Sequence, residues 1–593
     1  MQIEIVCTMQ LLAADPLFLT GPDATNSHVL SFGNSTSISE EKSLNNAVGM
    51  EFFGAVLHLR GVHVVQQPLV DKRQDVLCWN GEIFGGIDVA ADENDTQMLM
   101  RELEQINEIE DDWSDSQVLD VLQRIEGPYS IVYWQASTSR LWFARDCLGR
   151  RSLLWHKPTS AEDNFYLSSI SSTADVGFWE EVPANGIYCI HMDRLIQDNG
   201  TNNFAESTTH FRWRHPQDEN DTSESRFLAL PFPKVNAEIL ESLSTDTIDV
   251  EDDFVPPISE ELRNAISQFH SVLGDSVRRR VIDIPSHKAS DNSKVAILFS
   301  GGLDCLCLAA LADQYLPHDQ TIDLLNVAFE NPRINQNKKG PINYDVPDRK
   351  TGRCSVQELR AISPKRTWNF VEINVPYEEA TQCRQQIIHR MAPLDTVMDL
   401  VRINDGQRIF FIANNTNVGT NVQSIAMAFW FASRGRGIIK QADGTEIPYE
   451  SNARVLLSGL GADEQLGGYS RHREAFRQGG WQQMIQELQL DVDRIAARNM
   501  GRDDRIISDH GKEVRFPFLS TNVVRWLCAT RCDLKMDMRY PRGVGEKSLL
   551  RHLCRELGMQ EASRNWKRAI QFGAKTAKMT GETRKEKGQH KLL

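Results

Sequence analysis

Residues 294–313 read KVAILFSGGLDCLCLAALAD, and this stretch decides the architecture of the second half of the chain. Val295 to Phe299 is a short apolar run of strand formers. Cys305 to Ala312 reads as a buried helix without Gly or Pro. Between them lies Ser300-Gly301-Gly302-Leu303-Asp304. A strand that turns through two glycines into a helix N-terminus cradles phosphate, because the backbone can approach closely and its free N–H groups point at the anion. Ser300 adds a hydroxyl donor. Asp304 repels phosphate unless a cation lies between them, which implies Mg²⁺. No Gly-Lys-Ser/Thr follows, so this is not a Walker A loop. The alternative is an ordinary tight strand-to-helix turn.

Working outward, DLLNVAF (323–329), Phe370 to Val375 and Arg454 to Leu457 are further buried strand runs. A helix is expected over Glu260 to Gly274, and an amphipathic one over Trp481 to Arg498 with Ile485, Leu488, Val492 and Ile495 on one face. Alternating strands and helices imply a doubly wound parallel sheet whose ligand site lies beyond the carboxyl ends of its strands. Ser458-Gly459-Leu460-Gly461-Ala462-Asp463-Glu464 is a second glycine-rich loop after a strand, with paired carboxylates. Two such loops could hold nucleotide phosphates and Mg²⁺ from both sides.

The N-terminal third has a different texture. Ala55 to Val65 and Asp75 to Trp79 read as strands, Asn80-Gly81-Glu82 as a turn, and Thr96 to Ile106 as a helix capped by Asp95. Strands are also expected over Ser130 to Gln135, Arg140 to Arg145, Leu153 to His156, Phe165 to Ser168 and Gly186 to His191. Residues 196–257 are polar and acidic and read as a linker, and 576–593 as a basic, disordered tail.

With 593 residues the chain is too long for one core, and its 41% hydrophobic and 25% charged content is ordinary for globular domains. A formal charge of −16 argues against a nucleic-acid partner. The eleven cysteines show no metal-binding spacing, which fits a reducing, cytoplasmic compartment. No apolar run approaches the roughly 20 residues of a membrane span. MQIEIVCTMQLLAADPLFL carries Glu4 and no basic segment, so no signal peptide is expected.

The Ser300–Asp304 loop resembles that of the PP-loop ATP pyrophosphatases. Followed by Ser458–Glu464, Glu513-Val-Arg515-Phe-Pro-Phe-Leu519, Gly545-Glu-Lys547-Ser-Leu-Leu-Arg551 and Lys567-Arg568-Ala-Ile-Gln571-Phe572, it resembles the synthetase half of the asparagine synthetases. His58-Leu59-Arg60, Asn80-Gly81-Glu82, Asp95-Thr96 and Ala144-Arg145-Asp146-Cys-Leu-Gly149 resemble the class II glutamine amidotransferase domain. The resemblance covers about 50–195 and 258–575. It implies an Ntn-type layered αββα glutamine amidotransferase domain over 1–195, then a doubly wound parallel-sheet PP-loop ATP pyrophosphatase domain over 258–575.

It also implies site residues. Arg60, Asn80, Gly81, Glu82 and Asp95 would line a glutamine site: Arg60 suits an α-carboxylate, Asp95 an α-ammonium, and the Asn80 side chain with the Gly81 N–H an oxyanion. Leu298, Val327, Ser458 and Gly459 would border adenosine, while Ser300, Gly301 and Gly302 would hold the phosphates. Asp304 and Asp463 would carry Mg²⁺-pyrophosphate, and Lys567 is a catalytic candidate. The implied reaction consumes ATP, aspartate or a related carboxylate, and glutamine or ammonia. The carboxylate attacks the α-phosphorus, releasing pyrophosphate, and ammonia then displaces AMP from the acyl-adenylate.

Three departures qualify this. Family members begin Met-Cys-Gly and use that cysteine as nucleophile with its own amine as base. Here Met1-Gln2 supplies neither and Cys7 is internal, so the chain as written is expected to hydrolyse glutamine poorly, with a misassigned start favoured over a pseudo-enzyme. Leu460 stands where the family has a catalytic Glu, and leucine cannot move a proton. VRINDGQRIFFIANNTNVGTNVQ (401–423) interrupts an otherwise family-like segment, and is expected to be a surface excursion or a retained intron. The rival to an active amidotransferase is an ATP-binding scaffold, and a third reading is a related ligase with another carboxylate or amine.

Overall fold

A computed structural model describes residues 2–8, 23–32, 48–106, 114–160, 163–171, 177–197, 204–218, 227–251, 254–286, 293–332, 342–393, 420–441, 443–565, 568 and 570–576. The chain divides into two compact units. One comprises 1–230, 389–396 and 496–511, and the other 231–388, 397–495 and 512–593.

The first unit contains strands β1 (Gln2–Thr8), β2 (Ala24–Phe32), β3 (Val48–Val56), β4 (Leu69–Val70), β5 (Val76–Gly81), β6 (Tyr129–Gln135), β7 (Arg140–Arg145), β8 (Leu154–His156), β9 (Phe165–Ser168), β10 (Glu180–Glu181), β11 (Gly186–His191), β12 (Thr208–Arg214) and β13 (Leu228–Ala229). They form two sheets, ordered β10-β8-β9-β1-β3-β2 and β13-β12-β11-β7-β6-β5-β4. Strand alternation builds the layers. Val76 and Cys78 of β5, with Val132 and Trp134 of β6, face the first sheet and pack on Phe52, Phe165 and Leu167. Leu77 and Trp79, with Ile131 and Tyr133, face the other way onto Leu99, Leu103, Val118 and Leu122 of helices Asp95–Ile106 and Ser114–Arg124. The described layers are therefore helix, sheet, sheet; a second helical layer is not among the described residues.

Helix Met500–Ser508 belongs to this unit through buried charge: Arg151 Nη1 donates to Asp504 (2.9 Å), the Ser152 N–H to the same carboxylate (3.0 Å), and Arg505 Nη1 to Glu181 (3.0 Å). Burial pushes the Glu181 carboxyl up, but Arg145 and Arg505 outweigh it and hold it below its ordinary value.

The second unit holds one seven-stranded sheet of β14 (Ser293–Leu298), β15 (Thr321–Phe329), β16 (Trp368–Val375), β17 (Arg436–Lys440), β18 (Glu446–Glu450), β19 (Val455–Leu457) and β20 (Glu513–Arg515), ordered β18-β17-β16-β15-β14-β19-β20. The five strands from β16 to β20 in that order are parallel, and β17–β18 is an antiparallel hairpin on one edge. From β14 the chain winds outward through helices Leu303–Tyr315 and Pro347–Ile362 to β15 and β16, then returns to the other side of β14 as β19. The winding reverses at β14/β19, which is where an open parallel sheet leaves a crevice for a ligand.

Several sequence expectations are corrected. The strand expected over Ala55 to Val65 ends at Val56, because the chain then turns at Gly61 (φ +79°) and swings Arg60 towards Ile83. Asn80-Gly81-Glu82 is no turn: β5 runs to Gly81, and the Glu82 N–H continues the ladder to Pro128 O (3.0 Å). The stretch expected as a linker contributes β12, whose Phe211 joins the first unit's core, and β13. The helix from Glu260 runs on to Val281, and Ser470–Arg494 includes a break at Gly479 and Gly480. Residues 401–419, Lys567 and 577–593 lie outside the described residues. Among the described residues no helix is long and apolar enough to cross a membrane.

Candidate functional site

Each unit gathers one set of sequence-singled residues. In the first unit Arg60 Nη1 donates to Ile83 O (2.7 Å), and the Ile83 N–H donates to the Asp95 carboxylate (3.2 Å). A cation and an anion thus hold the two backbone polar groups of one residue, Ile83, with Glu82 3.7 Å from Arg60. Asp95 opens its helix, where the dipole favours negative charge. That disposition complements an α-carboxylate and an α-ammonium.

Asn80 and Gly81 end β5, with register Asn80↔Ser130 and Gly81↔Tyr129. Because the Glu82 N–H bonds Pro128 O, antiparallel alternation turns the Gly81 N–H away from β6. Gly81 is required there: a Cβ would come within 2.5 Å of Pro128 O and 2.8 Å of Tyr129 Cβ. The Ala144–Gly149 motif braces the opposite strand. The Asp146 carboxylate accepts from the Tyr129 N–H (3.2 Å) and Arg150 Nε (2.8 Å), and Arg150 reaches Gly127 O. Among the described residues, Arg60 Nε, Asn80 Oδ1 and Ser130 Oγ are buried without a hydrogen-bond partner. Cys7 is paired with Gly54 within β1.

In the second unit the loops after β14 and β19 meet. Gly301 has φ +77°, and a Cβ on it would lie 2.4 Å from Gly352 N. A Cβ on Gly459 would lie 2.8 Å from Asp304 Cβ, so the two loops touch through a glycine. Leu298 ends β14, Val327 lies in β15, and buried Ser458 follows β19, all towards the carboxyl ends of neighbouring strands. Leu460 donates its N–H to Ser458 Oγ (3.4 Å).

Asp304 and Asp463 converge on one cation, and it is Lys547. Its Nζ lies 2.6 and 2.7 Å from the two Asp304 carboxylate oxygens and 2.7 Å from Asp463 Oδ1. Burial lowers the affinity of this ammonium for its proton, but the carboxylates of Asp304 and Asp463 outweigh it and raise its pKa. Lys547 sits at φ +55°, a strained position for a non-glycine residue, immediately before helix Ser548–Glu556. Arg551 ties that turn down, donating to Glu546 O (2.8 Å) and to Asn565 O (3.1 Å), while Asn565 Nδ2 donates to Gly301 O (3.1 Å). The sequence motif contained Lys547 without a role. The available signal was a lysine at a helix N-terminus, where the dipole disfavours it.

Comparison with known proteins finds relatives of both units. The family described as glutamine amidotransferase domain matches residues 57–174, and that described as asparagine synthase matches 477–589. Asparagine synthetase domain-containing protein 1 of Bos taurus is 37% identical over 93% of this chain and 92% of its own length. The chain belongs to the asparagine synthetase domain-containing protein family. The Homo sapiens member is 37% identical over 89% of this chain and 88% of its own, and a Saccharomyces cerevisiae member 31% identical over 91% and 86%. Across asparagine synthetase domain-containing proteins of this length both units are therefore matched, not one alone.

Proposed function

We propose that the chain is an ATP-dependent, asparagine-synthetase-type amidotransferase that activates a carboxylate as its adenylate and passes it nitrogen from glutamine or ammonia. The observation that carries this is the meeting of Asp304, Asp463 and Lys547 between two glycine loops at the point where the parallel sheet reverses its winding. The Ser300–Gly302 loop would hold phosphates, and Leu298, Val327, Ser458 and Gly459 would border the nucleoside. Two convergent carboxylates are the donor set that Mg²⁺ takes when it arrives on a nucleotide. Among the described residues no cluster of three or more His, Cys, Asp or Glu side chains offers an all-protein cage. Mg²⁺ would supply charge neutralisation for the departing pyrophosphate, while the Lys547 ammonium holds the two carboxylates together and offers positive charge to a phosphate oxygen. In the first unit, Arg60 and Asp95 would orient glutamine.

The test is ATP–pyrophosphate exchange with aspartate, then with other carboxylates. Exchange that Asp304→Ala abolishes supports the proposal; ADP as product, with unchanged ATP affinity in that variant, refutes it. Leu460 favours a second reading, a nucleotide-binding scaffold without turnover, because an apolar side chain stands where proton transfer is needed. ATP binding without exchange for any carboxylate would select it.

A further inference from the structure

The glycine loop after β14 has a peptide that its own residues cannot hold. The bond joining Gly301 to Gly302 has no Cβ on either side, and glycine populates positive and negative φ about equally, so nothing local opposes rotation of that peptide. Half a turn would exchange the Gly302 N–H for the Gly301 carbonyl, setting an acceptor where an anion needs a donor. The structure holds the carbonyl from outside the loop. Gly301 O accepts from Ser355 Oγ (2.9 Å) and from Asn565 Nδ2 (3.1 Å), one donor for each of its two lone pairs. With its carbonyl so held, the peptide sends its N–H the other way, to Ser300 Oγ (3.3 Å).

Both donors come from distant parts of the sequence. Ser355 is 1% exposed inside helix Pro347–Ile362, where a serine commonly bonds a carbonyl of its own helix one turn back. Here it reaches across 54 positions to the loop instead. Close packing makes that reach possible: a Cβ on Gly301 would lie 2.4 Å from Gly352 N, in the helical turn before Ser355. Asn565 is held in turn by the helix that starts after Lys547, since Arg551 Nη1 donates to Ser563 O (2.7 Å) and Asn565 O (3.1 Å).

We propose that Ser355 and Asn565 are positioning residues that lock the Gly301–Gly302 peptide in its phosphate-accepting orientation. Either donor alone keeps the carbonyl in place, so each backs up the other, and losing both frees the peptide. Through Arg551, Asn565 also keeps the loop in register with the Lys547 ammonium. This inference rests on the Ser300–Gly302 loop being a phosphate cradle. It adds to that reading the two side chains that keep the cradle from inverting.

The experiment is isothermal titration of the full chain with Mg-pyrophosphate and, separately, with AMP, which lacks the β- and γ-phosphates. Urea unfolding checks that each variant is folded. Ser355→Ala and Asn565→Leu should each weaken Mg-pyrophosphate about three- to fivefold, the worth of one hydrogen bond or less. The double variant should lose more than about 25-fold, the most that two independent losses would give. AMP should bind all three variants as it binds wild type, a split that general damage to the unit would not produce. If the folded double variant binds Mg-pyrophosphate as wild type does, the lock is wrong and the cradle stands. If Mg-pyrophosphate and AMP weaken alike, the two residues support the unit at large and the proposal falls. If folded wild type does not bind Mg-pyrophosphate, cradle and lock fall together. Should the double variant fail to fold, the single variants decide: a loss confined to pyrophosphate supports the lock, and no loss in either refutes it.

Discussion

Replacing Lys547 by methionine tests how the second site is held together. The side chain is 4% exposed, and its ammonium touches carboxylate oxygens of Asp304 and Asp463 at 2.7 Å or less. Without it, those oxygens are no more than about 5 Å apart with nothing between them, a repulsion of about 3 kcal/mol at an effective dielectric of 20. Removing one member of a buried ionic cluster generally costs about 3–5 kcal/mol, and Lys547→Met should fall in that range at pH 7.5. Two further results should accompany the loss. The deficit should shrink as pH falls towards 5, because adjacent carboxylates raise each other's pKa and one of them takes up a proton. Adding Asp463→Asn to Lys547→Met should recover part of the stability, a coupling that a double-mutant cycle reads directly. The assay is urea unfolding of the full chain followed by tryptophan fluorescence, with Mg²⁺ titrated into the variant, where the unshielded carboxylates should make it stabilising. A variant within about 0.5 kcal/mol of wild type at pH 7.5, with no pH dependence of the difference, would refute the reasoning.

Burial pushes His552, with Arg555 nearby, down to about 4, below its unfolded value, so its contribution is present above the unfolded pKa and lost as pH falls. His552→Leu should therefore gain about 2 kcal/mol relative to wild type between pH 7.5 and pH 5, measured by unfolding at both pH values. Arg349 donates to Asn326, Glu372 and Asn374 from a fully buried position, and Arg349→Met should cost about 3 kcal/mol in the same assay. Gly301→Ala asks a Cβ to sit 2.4 Å from Gly352 N at φ +77°, and Mg-ATP affinity should drop at least about tenfold in a nucleotide titration.

Much of the architecture was written locally. Val295 to Phe299 and Val455 to Leu457 are apolar runs ended by glycines, and such signals act within a few residues, so the strand–loop–helix units and the glycine loops were legible without any contact map. The extent of β5 was not. Asn80-Gly81-Glu82 has turn composition, but Gly81 is there because Pro128 and Tyr129 leave no room for a Cβ, a fact that belongs to the neighbouring strand. The strand β12 was hidden for a similar reason: its polar surroundings resemble a linker, and only pairing with β11 shows where Phe211 is buried.

By itself the sequence determined the kinds of unit present and the residue types each loop carries, because propensity, periodicity and glycine geometry are short-range properties. Tertiary structure alone decided which of those residues meet. Lys547 reaches Asp304 across 243 positions, Asp504 joins Arg151 across 353, and Ser130 finds Asn80 only through strand register. Partners so distant are chosen by how buried faces and charges are satisfied together in the folded chain, and no window of sequence contains both halves of that choice.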